Sequence, residues 1–459
     1  MADILIEDAL IVTIDTQRRI IRDGAIAIQG DRIIDVGKTT ELRRRHTAGR
    51  LIHARDMVAM PGFIDTHVHT TEGARGFIPD DIQATPWARE WARELFAVLT
   101  PEEEYLLSLL VLAEALKTGT TTVCEAGTVK YVESLAQAAA ELGLRCNVGR
   151  WTWDLPPLPE SLRQTTDQAL RSVEEIVRQY HGAANGRISA WVHLLGQGTY
   201  SKELIVGAKA IADQYEVGLN MHQSNVLEEV QEFEVQRGKP PIEYLADLGV
   251  LGRNVLLVHV VAVNEREVEL LREHDVKVVH CVLTCLNLGY GATAIGRFPE
   301  MIEKGICVSL GCDGANCSST FDMGRAIYCV AGIYKDRFRD RKYIPAELAL
   351  EMATINGARA LLMENEIGSI EIGKKADIVL FNTRRPEWLP IINVVNNLVY
   401  SADGKSVDTV LVDGRVVVEK GRLTMVDEES LYDRVKSLDW GRLLSERSGL
   451  PIKTRWPIV

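Results

Sequence analysis

The chain is short of positive charge: 52 lysines and arginines face 64 aspartates and glutamates, a formal net charge of -12 over 459 residues. An excess of that sign repels phosphate backbones and anionic lipid, which argues against nucleic acid or membrane partners and leaves a small-molecule substrate. No apolar run reaches the length needed to span a bilayer. The start, Met1-Ala-Asp-Ile-Leu-Ile-Glu-Asp8, has neither a basic n-region nor a long apolar segment, and is not expected to be a signal peptide. Cysteine is sparse as well. The eight cysteines sit in apolar contexts such as Thr122-Val123-Cys124 and Gly305-Ile306-Cys307, without the paired short spacings of a zinc ribbon. They read as reduced, mostly buried thiols of a cytoplasmic protein.

What is present is an ordinary globular composition, 46% hydrophobic and 25% charged. A chain of this length exceeds what one hydrophobic core usually supports, so a large domain with a smaller companion is expected. The organising stretch is Pro61-Gly-Phe-Ile-Asp-Thr-His67-Val-His69-Thr70, preceded by the apolar run Met57-Val-Ala-Met60. On a strand, His67 and His69 point to one face. Two converging imidazoles suit a divalent transition metal. Alone, the pair reads more simply as two polar histidines at a strand end, and the rest of the chain must decide.

Residues 3 to 37 read as short strands of a half-buried antiparallel sheet: Ile4 to Ile14, Gly24 to Ile28 and Arg32 to Val36, with a turn at Gly30-Asp31. Similar material returns at Ala376 to Phe381 and Val407 to Val418, where Asp413-Gly414 has the chemistry of a hairpin turn. Both termini are therefore expected to build one β-sandwich. Between them strands and helices alternate. A long segment from Thr70 to Leu99, holding Phe77, Trp87 and Trp91, has the length of a functional lid. A helix then opens at Thr100-Pro-Glu-Glu103 with a capping box and proline in its first turn. Strands follow at Thr120–Cys124, Cys146–Arg150, Ile188–Val192, Gly218–His222, Val255–His259, Val276–His280 and Cys307–Leu310, separated by helical stretches such as Val132 to Leu142, Glu203 to Tyr215 and Glu265 to Glu273.

With the first strand this gives eight strand-helix units, the requirement of an α/β fold of the (β/α)8 TIM-type barrel. The expected organisation is 1–57 as the N-terminal part of the sandwich, 58–369 as the barrel, 370–424 as the C-terminal part of the sandwich and 425–459 as a helical tail. Barrel chemistry sits at the C-terminal ends of strands. His67, His69, His222, His259 and His280 all end strands, and Asp313 follows the eighth, so six residues able to ligate metal or move protons reach one mouth. Together they favour function where each alone would not.

At this point the pattern resembles the amidohydrolase superfamily. The matching motifs are Pro61-Gly-Phe-Ile-Asp-Thr-His-Val-His69, Gly119-Thr-Thr-Thr-Val123, His280-Cys281, Leu310-Gly-Cys-Asp-Gly314, Thr354-Ile-Asn-Gly-Ala-Arg359 and Ile367-Gly-Ser-Ile-Glu-Ile-Gly-Lys-Lys-Ala-Asp377. They span nearly the whole chain in the family's order. Within the superfamily it looks like the single-metal branch that holds cytosine, guanine and adenosine-type deaminases and the triazine hydrolases. The fourth strand, Ile188-Ser-Ala-Trp-Val-His193, offers no lysine for carbamylation, which fits one metal better than two. By position, the resemblance implies that His67, His69, His222 and Asp313 hold one divalent transition metal per subunit, zinc or cobalt first, with iron and manganese as further options. The metal would lower the pKa of a bound water enough to supply hydroxide near neutral pH. His259 would hold or deprotonate that water, and Asp313 would also accept its proton. His280 would be a nearby catalytic or substrate contact, and Arg150 falls where some relatives bind substrate, a strand-end salt bridge being its alternative.

Two departures from the family pattern bear on the substrate. Deaminases of this branch carry glutamate three residues after the fifth-strand histidine; this chain has Asn225, which cannot titrate. Glu228 and Glu229 follow on a helix whose pattern implies solvent exposure. Many relatives have a substrate-binding histidine where Gln197 stands. Without the acid, and unless Glu228 or Glu229 compensates, a leaving group that is a weak base, such as halide or thiolate, is favoured over an amine, or else His259 or Asp313 returns the proton. Trp87, Trp91, Trp151, Trp153 and Phe77 are expected around an apolar, neutral substrate, or equally in the core. The combination looks most like hydrolases of thiocarbamates, carbamates and ureas of the molinate or phenylurea type, acting in xenobiotic degradation. The alternatives are an aminohydrolase, deaminase or dechlorinase, of a triazine, purine, pyrimidine or pterin, and a non-catalytic scaffold of the same fold. The amphipathic tail from Asp427 to Val459 would pack on a neighbouring copy in a homo-oligomer or on its own barrel.

Overall fold

The structure, a computed structural model, describes residues 2–156, 159–454 and 456. Eight parallel strands close the expected barrel. In order they are Phe63–His69, Thr120–Glu125, Arg145–Val148, the split pair Ile188–Ala190 and Val192–Gly196, Leu219–Gln223, Val255–His259, Lys277–His280, and the split pair Val308–Leu310 and Asp313–Gly314. Strand four is interrupted at Trp191 and strand eight at Gly311-Cys312. Closure falls on the second break, where Asp313 pairs with Val68 and Gly314 with His69. Asp65 secures that seam: its Oδ1 accepts from the Cys312 amide at 3.0 Å and from the His67 amide at 3.3 Å. The strands are continuous apolar runs because helices cover their outer faces, the pattern of a buried parallel sheet.

Strands from both ends of the chain form one continuous nine-stranded sheet. Met57–Pro61 joins the halves, pairing parallel with Leu10-Ile11 and antiparallel with Ile378–Asn382. This apolar lead-in thus belongs to the terminal sheet, and barrel strand one starts at Phe63. The sheet closes around Ile4, Ile6, Ile26, Ile28, Ile378 and Leu411, all buried. Asp413 and Gly414 adopt φ of 48° and 70°, the left-handed pair that a two-residue hairpin between Val407–Val412 and Arg415–Glu419 requires. Sheet and barrel are tied by charge as well as by packing. The buried Arg145 of barrel strand three bonds Asp377 through Nε at 3.0 Å and also reaches Asp413.

The lid is helical in its second half. A turn at Ala84–Pro86 runs into a π-helical segment, Trp87–Ala92, and on into Arg93–Val98. The helix Pro101–Lys117 begins with the expected Thr100–Glu103 capping box. The last helix of the tail packs on the chain itself. Helix Trp440–Ser448 lies on the lid, with Leu444 buried beside Trp87, Trp91 and Leu95, and Arg447 bonds Glu103 at 2.7 Å.

Candidate metal centre and active site

Four imidazoles and a carboxylate converge at the C-terminal mouth of the barrel. The donor atoms of His67, His69 and His222 lie within 4.8 Å of one another, as do those of His67, His259 and Asp313. Asp313 Oδ1 stands 3.1 Å from His69 Nε2 and 3.7 Å from His67 Nε2, and its Oδ2 is 3.8 Å from His259 Nε2. The His67 and His222 rings are 4.8 Å apart at their centroids, and His69 stacks on His222 at 5.4 Å. His259 and Asp313 have φ of 74° and 68°, a left-handed backbone that non-glycine residues avoid. Strain thus gathers where the side chains must be aimed inward.

The ligand orientations are set from behind. His222 Nδ1 lies 2.7 Å from the Leu195 carbonyl, which can only accept, so Nδ1 carries the proton and Nε2 offers its lone pair. His69 Nδ1 lies 3.3 Å from Thr128 Oγ1, whose own hydrogen goes to the Glu125 carboxylate. Burial pushes His67 and His259 down to about 3 and His222 well below its ordinary value, so these rings are neutral donors. Burial opposes the charge on Asp313, but the neighbouring His67 and His69 rings overcome it and hold the carboxyl well below its ordinary value. Both ring nitrogens of His67 are buried without a hydrogen-bond partner. Buried polar atoms rarely stay unpaired, and a divalent ion shared by three imidazoles and one carboxylate answers this set. The residues present therefore fit a metal.

A cavity of about 200 Å³ opens beside this cluster. Of the expected substrate contacts, Trp87, Trp151, Gln197 and Asn225 line it. The Trp151 ring is 5.2 Å from that of His69. Gln197 is anchored by accepting from the Ser224 amide at 2.8 Å. Other expectations are corrected. Trp91 is part of the lid core against Phe77, and Trp153 packs on Phe96. His280 is turned into the barrel wall, where its Nε2 meets the Tyr334 hydroxyl at 2.9 Å and its ring stacks on Phe298 at 3.8 Å. Arg150 lies beyond the end of strand three at Val148, outside the cavity, and feels the charges of Glu104 and Glu133. Glu229 is half-buried on the cavity wall instead of solvent-exposed, because the lid folds over it and Thr85 donates to its carboxylate at 3.2 Å; Glu228 is exposed as expected. Glu72, Tyr290 and Cys317 also line the cavity and were not anticipated, Tyr290 with its ring 5.2 Å from that of His259. Of these, Glu72 alone carried a legible signal, an acid three residues beyond His69.

Barrel, donor set and cavity together define a metal-dependent hydrolase. Comparison with known proteins gives the family. Residues 58–417 match the amidohydrolase family, and residues 24–48 match an imidazolonepropionase-like composite domain of bacteria. The chain belongs to the amidohydrolase family. It is 34% identical over 437 residues to a 5-methylthioadenosine/S-adenosylhomocysteine deaminase of Moorella thermoacetica, covering 95% of this chain and 98% of the relative. It is 31% identical over 438 residues to a 5'-deoxyadenosine deaminase of Methanosarcina acetivorans, covering 95% and 98%. An adenosine deaminase of Xanthomonas campestris solved with bound zinc superposes with a TM-score of 0.89 at 27% identity, covering 98% of this chain and 99% of that one. These relatives are nucleoside deaminases, which turns the reading away from thiocarbamates, carbamates and ureas and toward the aminohydrolase. No helix among the described residues is long and apolar enough to cross a membrane.

Proposed function

We propose that the protein is a single-metal aminohydrolase that removes an exocyclic amino group from an adenosine-type nucleoside. The observation that carries this is the cluster of His67, His69, His222, His259 and Asp313 beside one cavity, in a chain whose relatives at 30% identity and above carry deaminase names. In this reading His67, His69, His222 and Asp313 would hold the ion, and a divalent ion there would supply the Lewis acidity that makes water a nucleophile near neutral pH. His259, neutral and aimed at Asp313, orients the attacking water and steadies the developing negative charge at the reacting carbon. Asp313 accepts a proton from that water. Trp87 and Trp151 give a flat, apolar enclosure for a heterocycle, and Gln197 and Asn225 offer amide donors and acceptors to its edge. The free state of all eight cysteines supports a reducing, cytoplasmic setting. Ammonia release from 5'-methylthioadenosine, S-adenosylhomocysteine, 5'-deoxyadenosine and adenosine by the zinc-loaded protein is the test. Turnover of at least one, abolished by chelation and restored by zinc, is expected; ammonia from none of them overturns the reading.

Asn225 favours a second reading, hydrolytic displacement of a halide or thiolate that departs without a proton. Chloride or thiol release from chlorinated and alkylthio analogues of the same heterocycles, faster than ammonia release, would establish it.

A further inference from the structure

One carboxyl on the cavity wall has no part in the donor set. Glu72 sits in the short turn Thr70–Gly73 directly after barrel strand one, is 8% exposed, and lines the same cavity as His69, His222, His259, Asn225 and Asp313. Its Oε2 lies 2.0 Å from where a Cβ on Gly314 would stand. The glycine after Asp313 is thus what admits this carboxyl against the backbone of strand eight. Its side-chain partner is the thiol of Cys317, at 3.7 Å. A thiol is a weak donor, and although the His69 ring and the Asn316 amide also favour the charged form, burial outweighs them and pushes this carboxyl up to about 7. Burying a carboxylate with so little compensation is costly unless it answers something in the cavity.

We propose that Glu72 is the proton carrier of the reaction, a catalytic carboxylate that takes over the work of the acid missing at position 225; this rests on the aminohydrolase reading. Its carboxylate takes one proton from the attacking water as the new C–O bond forms. It then gives that proton to the exocyclic nitrogen, so that the C–N bond breaks and ammonia departs. The water's second proton goes to Asp313 and returns by way of solvent to the ring nitrogen, leaving the carbonyl.

The test uses Glu72→Gln, isosteric and unable to carry a proton, in the cobalt-loaded protein. Turnover should fall by about 10²-fold or more with KM little changed, and adding Asn225→Glu to that variant should restore at least about tenfold. A readout independent of substrate is the pH titration of the cobalt visible band, which should move to lower pH by at least about half a unit once the neighbouring negative charge is gone. Turnover within about threefold of the unmodified protein, no recovery with Asn225→Glu, or an unmoved cobalt midpoint each overturns the proposal. So does loss of cobalt from Glu72→Gln, which would make Glu72 a ligand or a structural prop. A protein that deaminates nothing yet shows the cobalt shift would sink the aminohydrolase reading while leaving Glu72 a proton-accepting group beside the centre.

Discussion

At the scale of single residues, the site depends on a few side chains held by short-range constraints. Asp313 is the only carboxylate of the donor set, and three imidazoles face it within 3.8 Å. Asp313→Asn should cost about 10³-fold or more in turnover and most of the bound metal, measured by steady-state ammonia release alongside metal analysis. Gly314 is a subtler case. A methyl group there would meet the Glu72 carboxyl at 2.0 Å, so Gly314→Ala should displace that side chain. Overpacking of this kind costs about 1–3 kcal/mol, read in denaturant unfolding, and turnover should fall with metal content retained. The convergence of His67, His69, His222, His259 and Asp313 was legible because strand periodicity and barrel geometry bring them to one mouth. Glu229 was not, because its burial comes from Thr85 and the lid, more than a hundred residues away in sequence. His280 stands at the expected strand end but Arg150 falls two residues past the end of its strand, and side-chain direction depends on where the strand stops and which aromatic neighbours claim the ring.

Among the elements, the lid is the one whose position decides access. Arg89 pairs with Glu232 at 2.8 Å across the mouth, a half-exposed contact worth about 0–1 kcal/mol at most. The stronger hold comes from behind, where Leu444 of the tail helix is 2% exposed against the lid's tryptophans. Leu444→Ala should remove about 2–5 kcal/mol of packing at that junction. Hydrogen exchange should quicken across 84–98 while the barrel strands stay protected. KM should rise more than kcat changes. Equal protection in both proteins would show that the tail does not hold the lid.

For the whole molecule, the joint between barrel and terminal sheet rests on a buried guanidinium. Arg145 lies between Asp377 and Asp413, all three buried, and their partners raise its pKa despite the burial that opposes its charge. Arg145→Met would take the cation from Asp377 and leave Asp413 only the longer contacts to Arg187 at 3.8 Å and Lys375 at 3.9 Å, and should cost about 3–5 kcal/mol in urea unfolding. Metal binds only the folded state, so chelation should lower the melting temperature; at a free metal concentration about a hundredfold over Kd the loss corresponds to about 2.7 kcal/mol.

The sequence by itself determined the barrel, the sheet shared by both termini and the gathering of strand-end histidines with Asp313 at one mouth. These follow from local rules: apolar runs of strand length, caps, an Asp-Gly hairpin, and histidines at strand ends. Which aromatics face the cavity, where Arg150 and His280 turn, and the seating of Glu72 over Gly314 were decided only by the tertiary structure. Each of these depends on contacts between segments far apart in the chain, and such contacts leave no periodicity to read.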